Sequence, residues 1–410
     1  MANQVDKFWT TSGRVDTFLF EIVAPNDFNK HLGYLSGVKG GKLNFGYDTD
    51  LKLSGSLDIS STKLVENCVV KVHYCPRLSE SQKKDIVLGT CFASVDKMNF
   101  DKGRYFGTIQ LSSALVRYTD DVLQTSFTIG KNKTYKNELA RLLKRESSGG
   151  KYKFDSNVSD KKCTSAKAFE KNVKTMDVIQ AIADGLGARV DVSAHGVMQF
   201  EKYFAPSKKN CTLKLPTGQY SVTMPNIEID DGKSGMPNRI AYHCEVSWSE
   251  KVYVLDKNGN KQKYTSGENK GKYKTKTEKR TKTIVGKAQV KSSSPLHFSK
   301  RGRWVTQVFS YSKELSASKV NSTEKLNAEL DKIKKEANNK AATKLSSLTS
   351  GSKKYIINCF YLPVECGQVV EFEHIASGIK LHVQAMITDI ELDLSVGAKM
   401  KMTLKHVRNV

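Results

Sequence analysis

Eight cysteines and eight histidines are the residues of this 410-residue chain best suited to bind a metal or attack a substrate, and their spacing decides whether they can. Structural zinc takes four converging thiolate or imidazole ligands, normally in closely spaced pairs. Cys68, Cys75, Cys91, Cys163, Cys211, Cys244, Cys359 and Cys366 are scattered and include no Cys-x-x-Cys pair. The nearest approach to a ligand cluster is Cys68, His73 and Cys75, in an apolar run where neighbouring side chains of a strand face opposite sides. No metal is expected there, and the thiols are read as mostly reduced and half-buried.

Other reactive patterns fail on the same kind of test. Gly37-Val-Lys-Gly-Gly-Lys-Leu resembles a phosphate loop, but Ser36 stands where the first glycine is required and Leu43 follows Lys42 in place of Ser or Thr. A turn between strands accounts for the glycines. His243-Cys-Glu245 has the local look of a deaminase His-x-Glu, yet the Pro-Cys-x-x-Cys partner is missing, so an ordinary strand is expected. Asp230-Asp231 before Gly232 reads as a surface turn, and Trp9, Trp248 and Trp304 as core residues. No catalytic set and no cofactor-binding pattern emerges, so the chain is not read as an enzyme.

Charge is the stronger signal. Sixty-six basic against forty-two acidic residues leave a net +24, enough to attract polyanions such as nucleic acid or anionic wall polymers. Only twelve of the basic residues are Arg, which favours a point-charge contact over bidentate reading of bases. Residues 250–300 hold thirteen Lys and one Arg against four acids, a net of +10. Lys270, Lys272, Lys274 and Lys276 alternate with other residues, which in a strand would place them on one face. With Lys279 and Arg280 they form the candidate anion contact, on a long solvated hairpin.

The elements that would position these residues follow from periodicity. A length of 410 residues suggests roughly two or three domains. The first 130 residues read as strands: Thr17-Phe-Leu-Phe-Glu-Ile-Val, Leu43 to Tyr47, Leu51 to Ile59 in alternation, Cys68 to Tyr74, Ile86 to Ser94 and Tyr105 to Leu111. Asn137 to Arg145 reads as a short helix, and Ser147-Ser-Gly-Gly-Lys as a linker. Val178, Ile179, Ile182, Ala183 and Leu186 share a helical face that Thr175 can cap and Gly187 ends, with a hairpin after it. Leu326, Leu330, Ile333, Ala337 and Ala341 predict a helix over 321–348, opened by a capping box at Asn321-Ser-Thr-Glu324. Strands follow at Tyr355 to Leu362, Val369 to His374, Ile379 to Leu394 and Met400 to His406. Apolar residues are odd-numbered from Ile379 to Ile387 and even-numbered from Ile390 to Leu394, so a bulge is expected near Thr388-Asp389.

The fold class is therefore α+β, mainly β, divided as 1–146, 151–235 and 236–410, the last with a lysine-rich insertion at 250–300 and the 321–348 helix. No apolar stretch approaches the ~18 residues of a membrane span, and the start lacks the apolar core of a signal peptide, so synthesis in a cytoplasm is expected.

In this order the pieces resemble the hub proteins at the distal end of bacteriophage tails, the baseplate-hub and minor tail protein family. The resemblance rests on Val87-Leu-Gly-Thr-Cys-Phe-Ala-Ser, the Val178-Ile-Gln-Ala-Ile-Ala-Asp-Gly-Leu-Gly helix, Met236-Pro-Asn-Arg-Ile-Ala-Tyr, the long helix, Pro363-Val-Glu-Cys-Gly-Gln-Val-Val-Glu-Phe and Ile387-Thr-Asp-Ile-Glu-Leu-Asp-Leu-Ser. It implies two tube-type, barrel-like β domains with the smaller modules between them. It also implies a homotrimeric ring in the virion that joins the tail tube to a tip or needle, without enzymatic activity. The lysine-rich segment matches nothing in that pattern. The rival readings are a basic nucleic-acid-binding protein and a tail-associated wall hydrolase.

Overall fold

The computed structural model describes residues 3–145, 150–164, 166–202, 211–215, 223–230, 235–316, 322–349, 353–376 and 379–406. It forms two compact units, Met1–Asp230 with Lys354–Val410, and Asp231–Lys353. This division differs from the three consecutive segments expected, because strand pairing joins the end of the chain to its beginning.

The larger unit is built on a mostly antiparallel sheet of fourteen strands. Within its N-terminal part, Phe18–Ala24 pairs with Asp27–Tyr34 and Cys68–Tyr74, and Ile86–Asp101 lies between Cys68–Tyr74 and Arg104–Ser113. Leu53–Ser61 then links Arg104–Ser113 to Val38–Gly46. The last strands, Lys354–Phe360, Val369–Ala376, Ile379–Asp393 and Lys399–His406, form the C-terminal part.

Ile379–Asp393 makes the seam, setting Leu392 opposite Leu43 and Ile390 opposite Phe45. Lys42 Nζ donates to Glu391 Oε1 across it at 2.8 Å. One hydrophobic cluster runs through both parts, from Leu43, Leu57 and Ile109 to Leu392, Met402 and Leu404. Tyr74 and Tyr361 bind the two with ring centroids 4.4 Å apart. Burial of such a cluster, at about 25 cal/mol per Å² of apolar surface, is the main term holding these distant segments together.

The register of Ile379–Asp393 against Lys399–His406 shifts between Ile387 and Asp389, as the change of apolar phase requires. The bulge keeps Val383, Ala385 and Ile387 buried on one side of it and Ile390, Leu392 and Leu394 on the other. Of the glycines after Ser36, expected in a turn, Gly37 lies in the link before the strand with φ of 80°, whereas Gly40 and Gly41 enter the strand Val38–Gly46. A Cβ at Gly41 would stand 2.2 Å from the carbonyl oxygen of Ser56, so that residue lets two strands approach closely.

The same unit carries a smaller α/β module. Tyr135–Arg145 packs on Thr175–Leu186, and the hairpin of Ala188–Val192 and Met198–Lys202 follows, as expected. Leu139, Leu142, Ile179, Ile182, Val190 and Phe200 make its core. Thr175 does not cap its helix: Lys174 holds the cap position, and the Thr175 hydroxyl donates to Asp121 Oδ2 at 2.9 Å.

The second unit is a three-stranded sheet covered on one face by a long helix. Arg239–Tyr253 is its central strand, antiparallel to Thr275–Gln289 and parallel to Thr306–Leu315. The helix Thr323–Thr349 buries Leu330, Ile333, Ala337 and Ala341 of the spacing read from the sequence, leaves Leu326 half-buried and adds Leu345 to the row. Ser322 Oγ accepts from Lys325 N at its start; the expected first cap residue, Asn321, lies outside the described residues. Asn238, fully buried, ties the sheet to its loops: Nδ2 donates to the carbonyls of Leu296 and Arg303, and Oδ1 accepts from Val305 N.

Candidate functional site

The six residues of the candidate anion contact lie on the hairpin of the second unit. Trp248 and Ile284 are the outermost residues of its strands packed in the helix-facing cluster. Past them the strands stay paired to Tyr253 and Thr275 with only solvent-facing side chains or weakly covered ones. Cross-strand hydrogen bonds, not a core, hold this part together.

The six do not share a face. Thr275 begins the strand, so Lys270 and Lys272 fall in the turn before it, where Gly267 and Gly271 have φ of 78° and 85°. Lys276 and Arg280 lie on one side of the strand with Glu278 between them, and Lys279 lies on the other. Lys276 Nζ is 2.8 Å from Glu278 Oε1, and Arg280 reaches Glu278 at 2.9 Å and Glu250 at 3.6 Å. The hydrogen bond from Lys276 holds the Glu278 carboxyl below its usual range. These two cations are thus matched by two acids. Lys270, Lys272, Lys274 and Lys279 make no ion pair among the described residues, and they carry the uncompensated charge.

Sheet margins are the second feature. Among the described residues Asp27–Tyr34 ends the large sheet on one side and pairs only with Phe18–Ala24; Leu32 and Tyr34 on it are exposed. Thr223–Asp230 pairs, among the described residues, only with Lys354–Phe360, and carries exposed Ile229. Asp230 ends that strand, while Asp231 lies outside the described residues. A margin strand offers one row of backbone donors and acceptors to another chain.

The residues that hinted at chemistry lie in ordinary structural settings. His73 bonds Asp85 at 2.8 Å and Glu21 at 3.0 Å. His243 and Glu245 lie within the strand Arg239–Tyr253, as expected. Burial pushes the Cys91 and Cys359 thiols up to about 12, so at neutral pH they stay as protonated core thiols, poor nucleophiles. A cavity of 460 Å³ in the larger unit is lined by Lys52, Arg189, Asp191 and Glu201. Arg189 meets Asp191 at 2.7 Å and Glu201 at 2.6 Å and lies 4.4 Å above the Tyr47 ring, while Lys52 Nζ donates to the backbone carbonyl of Tyr47 at 2.7 Å.

Comparison with solved structures places this architecture. The tail protein from Neisseria meningitidis MC58 superposes with a TM-score of 0.55 at 9% sequence identity, over 95% of this chain and 97% of the other. The prophage MuSo2 43 kDa tail protein from Shewanella oneidensis gives 0.53 at 10% identity, over 95% and 98%. The chain therefore has the fold of phage tail proteins, and the resemblance drawn from the sequence holds at the level of the fold. No protein-family model matches the sequence, and no curated protein matches it.

Proposed function

We propose that this chain is a non-enzymatic structural protein of a phage tail. Three copies would form a hub ring at the distal end of the tail tube, within the virion, and connect the tube to a tip or needle. The observation that carries the reading is a fold shared along 95% of the chain with two tail proteins. On this reading the N- and C-terminal parts of the large sheet are the two tube-type β domains, joined at the seam between Leu43 and Leu392. Strand margins such as Asp27–Tyr34 and Thr223–Asp230 would meet those of neighbouring copies.

Light scattering of the purified chain, with electron microscopy of assembled tails, tests this. The expected result is a ring of three copies located at the tail end. A compact monomer at every concentration, absent from tails, rules the reading out.

The four unmatched lysines support a second element of the reading, contact of the hairpin with a polyanion: nucleic acid, an acidic partner subunit or an anionic wall polymer. Such contact would weaken with salt, since the Debye length is about 8 Å at physiological ionic strength.

A further inference from the structure

We propose that the tip of the lysine-rich hairpin docks on an anionic membrane surface. The proposal deepens the anion-contact reading of the same hairpin by naming the partner. It begins with an oddity of composition: between Lys251 and Lys276 there are eight lysines against Asp256 and Glu268, and within this charged stretch Tyr253, Leu255, Tyr264 and Tyr273 are all exposed, Leu255 to 55%. A loop kept soluble by charge alone has no use for four large apolar side chains facing water.

The tip is also built, not frayed. Residues 260–264 fold back between the two arms. Gln262 N donates to Val254 O at 2.8 Å, Lys274 N to Gln262 O at 2.8 Å, and Tyr264 N to Lys272 O at 3.0 Å. Tyr253 and Tyr273 meet edge to face with centroids 5.6 Å apart. Lys261 Nζ sits 4.0 Å from the Tyr253 centroid and Lys263 Nζ 5.0 Å from that of Tyr273. From Trp248, in the helix-covered core, the strand runs five residues to Tyr253, or about 17 Å at ~3.3 Å per residue. The apolar groups are therefore held on a fixed platform clear of that core.

This chemistry fits a lipid interface better than nucleic acid. Stacking a base requires a free ring face, whereas Tyr253 and Tyr273 already turn toward each other and toward lysines. Leu255 has no face to stack. Tyrosines and an aliphatic chain entering the headgroup layer, with lysines reaching lipid phosphates around them, are the usual components of an interfacial anchor.

The test uses the full chain, floated with phosphatidylcholine vesicles with and without phosphatidylglycerol, and a parallel titration with duplex DNA, between about 50 and 200 mM salt. Binding to the anionic vesicles, little to the neutral ones, and a loss of about tenfold or more at the higher salt are expected. Leu255→Ser, alone and with Tyr253→Ser, should lower vesicle affinity about tenfold with DNA affinity unchanged. The single exposed change guards against a misfolded tip. Neutralising Lys270, Lys272 and Lys274 to Gln should weaken both. DNA binding without vesicle binding, or vesicle binding indifferent to both serine variants, overturns the membrane proposal and leaves polyanion contact standing. Binding to neither ligand overturns both.

Discussion

Gly286 and Ala337 touch backbone to backbone, so closely that a Cβ on the strand residue would stand 2.3 Å from the carbonyl carbon of the helix residue. Neither backbone can retreat without opening the buried row of Ile333, Ala337 and Ala341 against the sheet. Overpacking of this kind costs about 1–3 kcal/mol. Gly286→Ala is therefore expected to lower stability by about that amount, read as a smaller denaturant midpoint with an unchanged slope in unfolding followed by Trp248 and Trp304 fluorescence. Wild-type stability in the variant would show that helix and sheet can part freely.

A buried polar cluster offers a graded test in the larger unit. Tyr74 Oη donates to Asp16 Oδ1 at 2.5 Å, and Arg14 Nε donates to the same oxygen at 2.8 Å, with the side chains of Arg14 and Asp16 almost wholly covered. Tyr74→Phe removes one donor and leaves the ion pair, for a loss of about 1–2 kcal/mol. Asp16→Ala leaves Arg14 buried without its carboxylate and should cost about 3–5 kcal/mol. Urea unfolding of the two variants checks the order; equal losses would count against an ion pair at the centre of the cluster.

Acid should loosen the helix from its sheet. Glu336 accepts from Lys313 on the margin strand at 2.7 Å and lies 3.2 Å from Lys340 on its own helix, and these bonds hold its carboxyl below its ordinary 4.5. A carboxyl lowered on folding adds stability above its unfolded value and loses it as pH falls through the folded value. Stability of wild type relative to Glu336→Gln should be flat from pH 7 to pH 5 and shrink below about 4.5. The effect is small, because both partners are partly exposed and screened by solvent. A constant difference down to acid pH would remove Glu336 as its source.

Salt dependence should separate the hairpin lysines into two groups. Each phosphate contact contributes about 0.9 to the slope of log affinity against log salt on duplex DNA. Neutralising Lys270, Lys272, Lys274 and Lys279 together should flatten that slope by up to about 3.6. Neutralising Lys276 and Arg280, already matched by Glu278 and Glu250, should change it far less. Equal effects from both groups would mean that the ion pairs open on binding.

What could be read from the sequence was what local patterns encode. Cys68–Tyr74 is delimited to the residue, the bulge at Ile387 follows from a change of apolar phase, and the long helix from spacings of three and four. Asp27–Tyr34 was not legible, since a polar, largely exposed margin strand has no buried face to create alternation. The seam between Val38–Gly46 and Ile379–Asp393 was not legible either, because pairing between remote strands depends on register across the whole chain. The small module holds an internal duplication with little trace in the sequence. Phe127–Ile129 and Lys167–Phe169 pair with one another, each leads through a left-handed asparagine, Asn132 or Asn172, and each is followed by a helix. Only Lys-Asn and a nearby Thr repeat in sequence. At the candidate site, lysine spacing was visible but not its compensation by Glu250 and Glu278, nor the significance of Tyr253, Leu255, Tyr264 and Tyr273 interspersed among the lysines.

The seam also sets an order of events during synthesis. While the ribosome is still making the second unit, Val38–Gly46 waits with one side open, because its partner Ile379–Asp393 is encoded more than three hundred residues later. The nascent chain must keep that waiting edge from pairing with a stranger, a hazard of late-closing β topologies. Chaperone demand, and the yield of soluble material after truncation before Ile379, should therefore report on this one join.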